Sequence, residues 1–96
     1  MKTHIPQTLN TIIESLAVDL GIKTKLEQYS IFPLWNDVVG EQIAKITEPE
    51  RIDNGLLIVK VSNAPWRTEL TFRKKEILTK IHEATKSTAI KDIRFR

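Results

Sequence analysis

The sequence has no cysteine, which excludes disulfides and thiolate-bound metals within the chain. Its glycines, Gly21, Gly40 and Gly55, stand too far apart for any Gly-rich phosphate cradle. Histidine is scarce: His4 and His82 are widely separated and read as exposed polar residues, so no metal is expected. No serine lies in a nucleophile-elbow pattern. The longest apolar stretch runs only from Leu56 to Val59, far below the ~20 residues that span a bilayer. Met1 to Asn10 carries one lysine and no apolar run, unlike a signal peptide. These absences point away from an enzyme, a cofactor, a small-molecule substrate and a membrane. The expected location is the cytoplasm.

What remains is an ordinary globular composition. The 96 residues are 41% hydrophobic and 28% charged, which fits one domain able to fold without covalent staples. No repeat, low-complexity segment or linker divides 1–96. The net charge of +3 is unevenly spread. Met1 to Val59 holds 5 basic and 8 acidic residues, or −3; Lys60 to Arg96 holds 10 basic and 4 acidic, or +6. An acidic half joined to a basic half suits a polyanion-binding face, and also an unevenly charged solvated surface.

Apolar periodicity predicts the elements. Leu9, Ile12, Ile13, Leu16 and Leu20 recur at helical spacing over about 8–20, with Gly21 as the stop. Thr24 to Lys45 is helical but broken. Pro33 either kinks one helix or starts another in its first turn, and Gly40 either ends a helix or permits close packing. Asp53-Asn54-Gly55 signals a hairpin between an edge strand carrying Pro49 (Ile46 to Ile52) and a strand from Leu56 to Val61. Both faces of the second strand are mostly apolar, which places it centrally. Ser62 or Asn63 caps a long helix expected over Ala64 to Thr85, with a buried stripe of Trp66, Leu70, Ile77, Ile81 and Ala84. Ala89 to Arg96 alternates as a last strand, Ile93 and Phe95 inward, Asp92, Arg94 and Arg96 outward. The order helix-helix-strand-strand-helix-strand makes a two-layer α+β domain with a three-stranded sheet, the arrangement of KH-like domains. The Gly-x-x-Gly loop that clamps nucleic acid in KH domains is missing.

The candidate site residues are cations of the second half. Arg67 and Lys74 flank one side of the helical stripe, and Arg73 and Lys80 the other. Pairs Glu69–Arg73 and Glu76–Lys80 stand at i,i+4, an ordinary salt-laced helix or a set of contacts that phosphates can replace. Arg94 and Arg96 share a strand face, and Lys60 and Lys91 extend the patch. Contacts of this kind hold a nucleic-acid backbone with little sequence preference. Glu48 and Glu50 flank Pro49 and read as edge protection. Trp35, Trp66 and Phe95 fit core positions, leaving no evident platform for stacked bases. Phe72 falls opposite the buried stripe, where it either anchors a protein partner or caps a second edge of the core.

The ordered segments Leu34-Trp35-Asn36-Asp37-Val38-Val39-Gly40, Ile43-Ala44 and Thr47-Glu48-Pro49 resemble the opening of DciA-like proteins. The likeness continues through Gly55-Leu56-Leu57-Ile58-Val59-Lys60-Val61, Ser62-Asn63-Ala64-Pro65-Trp66 and Glu69-Leu70, and closes with Ile93-Arg94-Phe95-Arg96. It covers about 26–96. The resemblance implies a bacterial KH-like domain, long treated as a domain of unknown function with suspected RNA binding, whose characterised members bind DNA and the replicative helicase DnaB and help place it on DNA. Trp35, Gly40 and Trp66 within these motifs read as structural.

The expectation is a DNA-replication accessory protein, not an enzyme. It would contact DNA backbone through Lys60, Arg67, Arg73, Lys74, Lys80, Arg94 and Arg96, and dock the replicative helicase through a separate surface, with Phe72 as a partner-binding residue. The alternatives are a KH-like module acting on structured RNA or ribosomes, and a protein adaptor or homodimer using Phe72 and a sheet edge.

Overall fold

Two helix breaks, at Ser30 and Gly40, shape the N-terminal part of the molecule. A computed structural model describes residues 21–96; the helix expected over 8–20 and His4 lie outside them. Helix α1 is Ile22–Tyr29, α2 is Ile31–Val39 and α3 is the single turn Glu41–Ala44. Ser30 ends α1, its N–H donating to Leu26 O at 3.1 Å and its hydroxyl to Glu27 O at 2.6 Å. Pro33 therefore falls in the first turn of α2, where a missing N–H breaks no helical bond. Gly40 ends α2 at φ 89°, ψ 157°, a conformation essentially confined to glycine. A Cβ there would meet nothing within 4 Å, so backbone conformation rather than crowding explains the residue.

Strands β1 (Thr47–Asp53) and β2 (Leu56–Val61) are antiparallel and joined by Asn54 and Gly55. Both turn residues have positive φ, 50° and 84°, the two-residue turn that matches strand twist. A bulge between Pro49 and Arg51 leaves Glu50 without a cross-strand partner. Strand β3 (Asp92–Phe95) lies parallel to β2, giving the order β1-β2-β3 with β2 in the centre.

The helix expected over 64–85 is divided at Arg73 into α4 (Ala64–Phe72) and α5 (Lys74–Thr85). Asn63 caps α4, its Oδ1 accepting from Trp66 N at 3.0 Å, and Pro65 sits in the first turn. Arg73 has φ −93°, ψ 9°, and its N–H is shared between Glu69 O at 3.2 Å and Leu70 O at 3.0 Å. That tightened turn divides the helix without proline or glycine, so no residue type announced it. In α5, Ile77 and Ile81 face inward as the stripe predicts and Thr85 is half-buried, while Ala84, expected in the stripe, is exposed.

The helices cover one face of the sheet, making a two-layer α+β domain. Ile31, Trp35 and Val38 from α2 and Leu70, Ile77 and Ile81 from the C-terminal helices meet Leu57, Val59, Val61, Ile93 and Phe95. His82, expected to be exposed, is half-buried, and its Nε2–H donates to Ile90 O at 2.7 Å. That bond fastens the end of α5 to the segment entering β3.

Candidate nucleic-acid interface

Alternation along β3 buries Ile93 and Phe95 and turns Asp92, Arg94 and Arg96 to the sheet face opposite the core. Strand register then sets their neighbours. Arg51, Ile58 and Arg94 form one row across that face. Glu48 and Lys60 are paired in another, which Arg96 joins through its N–H to Val59 O (2.9 Å) and its carbonyl from Val61 N–H (2.8 Å). Asp53, Leu56 and Asp92 form the third. Arg51, Lys60, Arg94 and Arg96 thus share the face with Glu48, Glu50, Asp53 and Asp92, so its formal charges cancel. This face by itself is no field for a polyanion.

Arg96 is also occupied. Its Nε donates to Glu50 Oε1 at 2.6 Å and its Nη2 to Glu50 Oε2 at 3.2 Å. The bulge frees Glu50 for this bidentate pair, and Arg96 holds the carboxyl below its ordinary range, helped by Lys60 and Arg51 against partial desolvation. The Arg96 guanidinium is correspondingly raised by Glu50. Glu50, expected to guard a strand edge, instead ties the bulged strand to the last residue of β3's ladder.

The helical cations separate. Arg67 is half-buried and sends Nη2 to Val61 O at 3.2 Å, while its buried Nε has no partner among the described residues. It secures the end of β2 rather than facing solvent. Arg73 pairs with Glu69 at 2.8 Å and Lys80 with Glu76 at 3.6 Å, as the spacing predicted. Lys80 borders a hollow with Leu34 and Asp37 of α2, and so belongs to a different surface from β3. Lys74 reaches β3, with Nζ 3.5 Å from Asp92 Oδ1.

Lys74 and Arg94 therefore meet. They line one groove of about 290 Å³ between the α4–α5 junction and β3, walled by Thr71 on the helix side and by Ile93 and Phe95 on the strand side. The groove runs along a sheet edge. Asp92 and Arg96 direct their backbone groups to β2, so the intervening Ile93 and Phe95 direct theirs outward. The Ile93 N–H donates to Asp92 Oδ1 at 2.8 Å; the Phe95 N–H has no partner among the described residues. Arg94 makes no ion pair among those residues, nor does Lys75 beside the junction. Open cations and an open backbone donor beside an edge are suited to hold phosphate oxygens.

Of the seven sequence-predicted cations, the fold brings Lys74 and Arg94 together, with Arg73 at the helix junction next to them. Lys60 and Arg96 lie on the charge-balanced face, Arg67 is turned inward and Lys80 stands apart. Lys91 packs against the hairpin turn, its N–H donating to Gly55 O at 2.7 Å. Lys75, exposed beside the junction, is not among those seven, although the run Arg73-Lys74-Lys75 stands in the sequence. Phe72, the last residue of α4, is 83% exposed, so it does not cap the core.

A family model described as "Dna[CI] antecedent, DciA" matches residues 8–95. A UPF0232 protein of Rhodococcus jostii is 30% identical over 90 residues, covering 94% of this chain and 48% of that protein. A UPF0232 protein of Mycolicibacterium smegmatis is 32% identical over 76 residues, covering 79% of this chain and 39% of that one. A UPF0232 protein of Mycobacterium tuberculosis is 27% identical over 90 residues, 94% of this chain and 48% of that one. The chain spans less than half the length of each of these relatives.

Proposed function

The chain belongs to the DciA family, and from that premise we propose that it is a DNA-replication accessory module that binds nucleic-acid backbone and the replicative, DnaB-type helicase and assists helicase loading. The family description, an antecedent of Dna[CI], supports the helicase partner. The observation that carries the nucleic-acid half is the β3-edge groove, where Arg94 and Lys74 stand over an open strand edge. Arg73 and Lys75 extend it along the helix junction. Lys60 and Arg96 lie on the charge-balanced sheet face, Arg67 acts within the fold and Lys80 stands on a different surface. The module hydrolyses nothing itself; it positions other molecules. Its element order, with β3 returning parallel to β2 after two helices, agrees with a KH-like domain.

The test combines the chain with the replicative helicase of the same organism, with and without single-stranded DNA. Association that survives Lys74→Glu/Arg94→Glu, together with DNA binding lost in that variant, supports two separate surfaces. No helicase association, alongside salt-sensitive binding of structured RNA in preference to DNA, replaces this proposal with an RNA-binding module.

A further inference from the structure

A second hollow adjoins the β3-edge groove. It measures about 700 Å³ and lies between α1, the hairpin turn and the loop that leads from α5 into β3. One rung of the sheet separates the two. Gly55 and Lys91 line the hollow, joined by the bond from Lys91 N–H to Gly55 O at 2.7 Å. Leu56 and Asp92, the next residue on each chain segment and partners in the β2–β3 register, line the groove. A rung is only about 3.3 Å of strand, so a polymer leaving the groove past Asp92 enters the hollow.

The lining suits anionic oxygens. Lys86 and Lys91 are exposed and make no ion pair among the described residues. Ser87 Oγ accepts from Ala89 N–H at 3.0 Å, which leaves its own proton to donate outward. Thr88 adds a second hydroxyl from the same loop. The loop is held in place from both sides: Gln28 Nε2 of α1 donates to Ala89 O at 3.3 Å, and His82 of α5 bonds Ile90 O. Glu27 is the one carboxylate on the lining. Across the groove and the hollow together, the cations Lys74, Arg94, Lys91 and Lys86 stand against Asp92 and Glu27, so 4 − 2 leaves +2. The sheet face behind them carries no such excess. We infer that the nucleic-acid track continues from the groove into this hollow, where Lys86 and Lys91, with the Ser87 and Thr88 hydroxyls, hold further phosphates of the same backbone. This rests on the nucleic-acid function proposed above and lengthens its site.

The measurement is fluorescence anisotropy, at low salt and over a salt series, of labelled oligothymidines of about 4 and about 12 nucleotides. They are titrated with the full chain and with Lys86→Gly/Lys91→Gln. Lys86 has φ 54° at the end of α5, a left-handed position that favours glycine, and Lys91→Gln keeps most of the side-chain stem, so the thermal midpoint should hold. The double variant is expected to weaken the longer oligothymidine at least about fivefold and to lower its salt slope by about 1.4, or 0.7 for each phosphate contact on a single strand. The shorter one, which the groove accommodates alone, should bind as before. Equal loss on both lengths, or loss on neither, overturns the track while leaving the groove standing. Lys80→Gln, on a different surface, controls for charge at a distance, and an equal loss per charge there also overturns it. A wild-type chain that binds neither length removes the nucleic-acid function itself, and the track with it.

Discussion

The buried indole of Trp35 donates its Nε1–H to Thr47 Oγ1 across 2.9 Å, and the same hydroxyl donates onward to Ile43 O at 2.8 Å. This relay ties α2 and α3 to the first residue of β1, where Trp35 is 4% exposed. Thr47→Val keeps the shape and strands the indole N–H. A buried donor left unpaired costs about 1–3 kcal/mol, and each kcal/mol moves the midpoint of a domain this size by about 4–8 °C. Thermal unfolding should register that drop for Thr47→Val and a much smaller one for Thr47→Ser.

The Glu50–Arg96 pair predicts an acid-side loss of stability. The folded Glu50 carboxyl lies below its ordinary range, so the pair stabilises fully above the ordinary carboxylate pKa and is lost as pH falls through the lowered folded value. Arg96 stays charged throughout. Glu50→Gln should therefore flatten the fall of the thermal midpoint between about pH 5 and pH 3. Both side chains retain solvent contact, 53% for Arg96 and 25% for Glu50, so added salt should shrink the difference. Identical pH profiles for the two proteins would show that the pair does not contribute.

Charge removal should rank the cations by their surroundings. Arg94→Ala, which deletes a cation with no ion-pair partner among the described residues, should weaken oligonucleotide binding. It should also reduce the salt slope by about 0.7–0.9 for one phosphate contact. Lys74→Ala acts in the same direction. Arg96→Ala and Lys80→Ala should change binding little, since Glu50 holds Arg96 in a bidentate pair and Lys80 stands on a different surface from the groove. Titrations at several salt concentrations separate the groups, and equal losses across all four would disprove a localised groove.

The hairpin turn makes a separate stability prediction. Gly55 has φ +84°, and a Cβ there would lie 3.0 Å from Lys91 Cγ and 3.3 Å from Ala89 O. Gly55→Ala combines left-handed strain of about 1–2 kcal/mol with pressure on the segment leading into β3. Its unfolding midpoint in urea should fall, and Asn54→Gly, which relieves rather than adds strain, should not lower it comparably.

Much of this was legible in the residues. Helix periodicity, the Asn54-Gly55 turn, the two apolar faces of β2 and the alternation of Ile93 and Phe95 with Arg94 each reflect local stereochemistry and burial. They therefore specify element order and the central strand. The Asn63 cap and the pairs Glu69–Arg73 and Glu76–Lys80 are equally local. Local pattern also explains why the cations looked like one patch, because sequence spacing reports only which side of an element a residue takes.

Whether cations from different elements share a surface depends on long-range geometry. The break at Arg73 arises from a shared backbone hydrogen bond with no signature residue. The junction lies against β3 and places Lys74 opposite Arg94. The bulge at Glu50 releases a carboxylate that captures Arg96 from the far edge of the sheet, a contact between residues 46 apart in the chain. The sequence by itself determined the α+β class, the strand order and the family, because these follow from periodicity and ordered motifs. Only the tertiary structure decided which charges cancel, which turn inward and which remain open at the β3 edge, because electrostatic pairing depends on distances that packing sets.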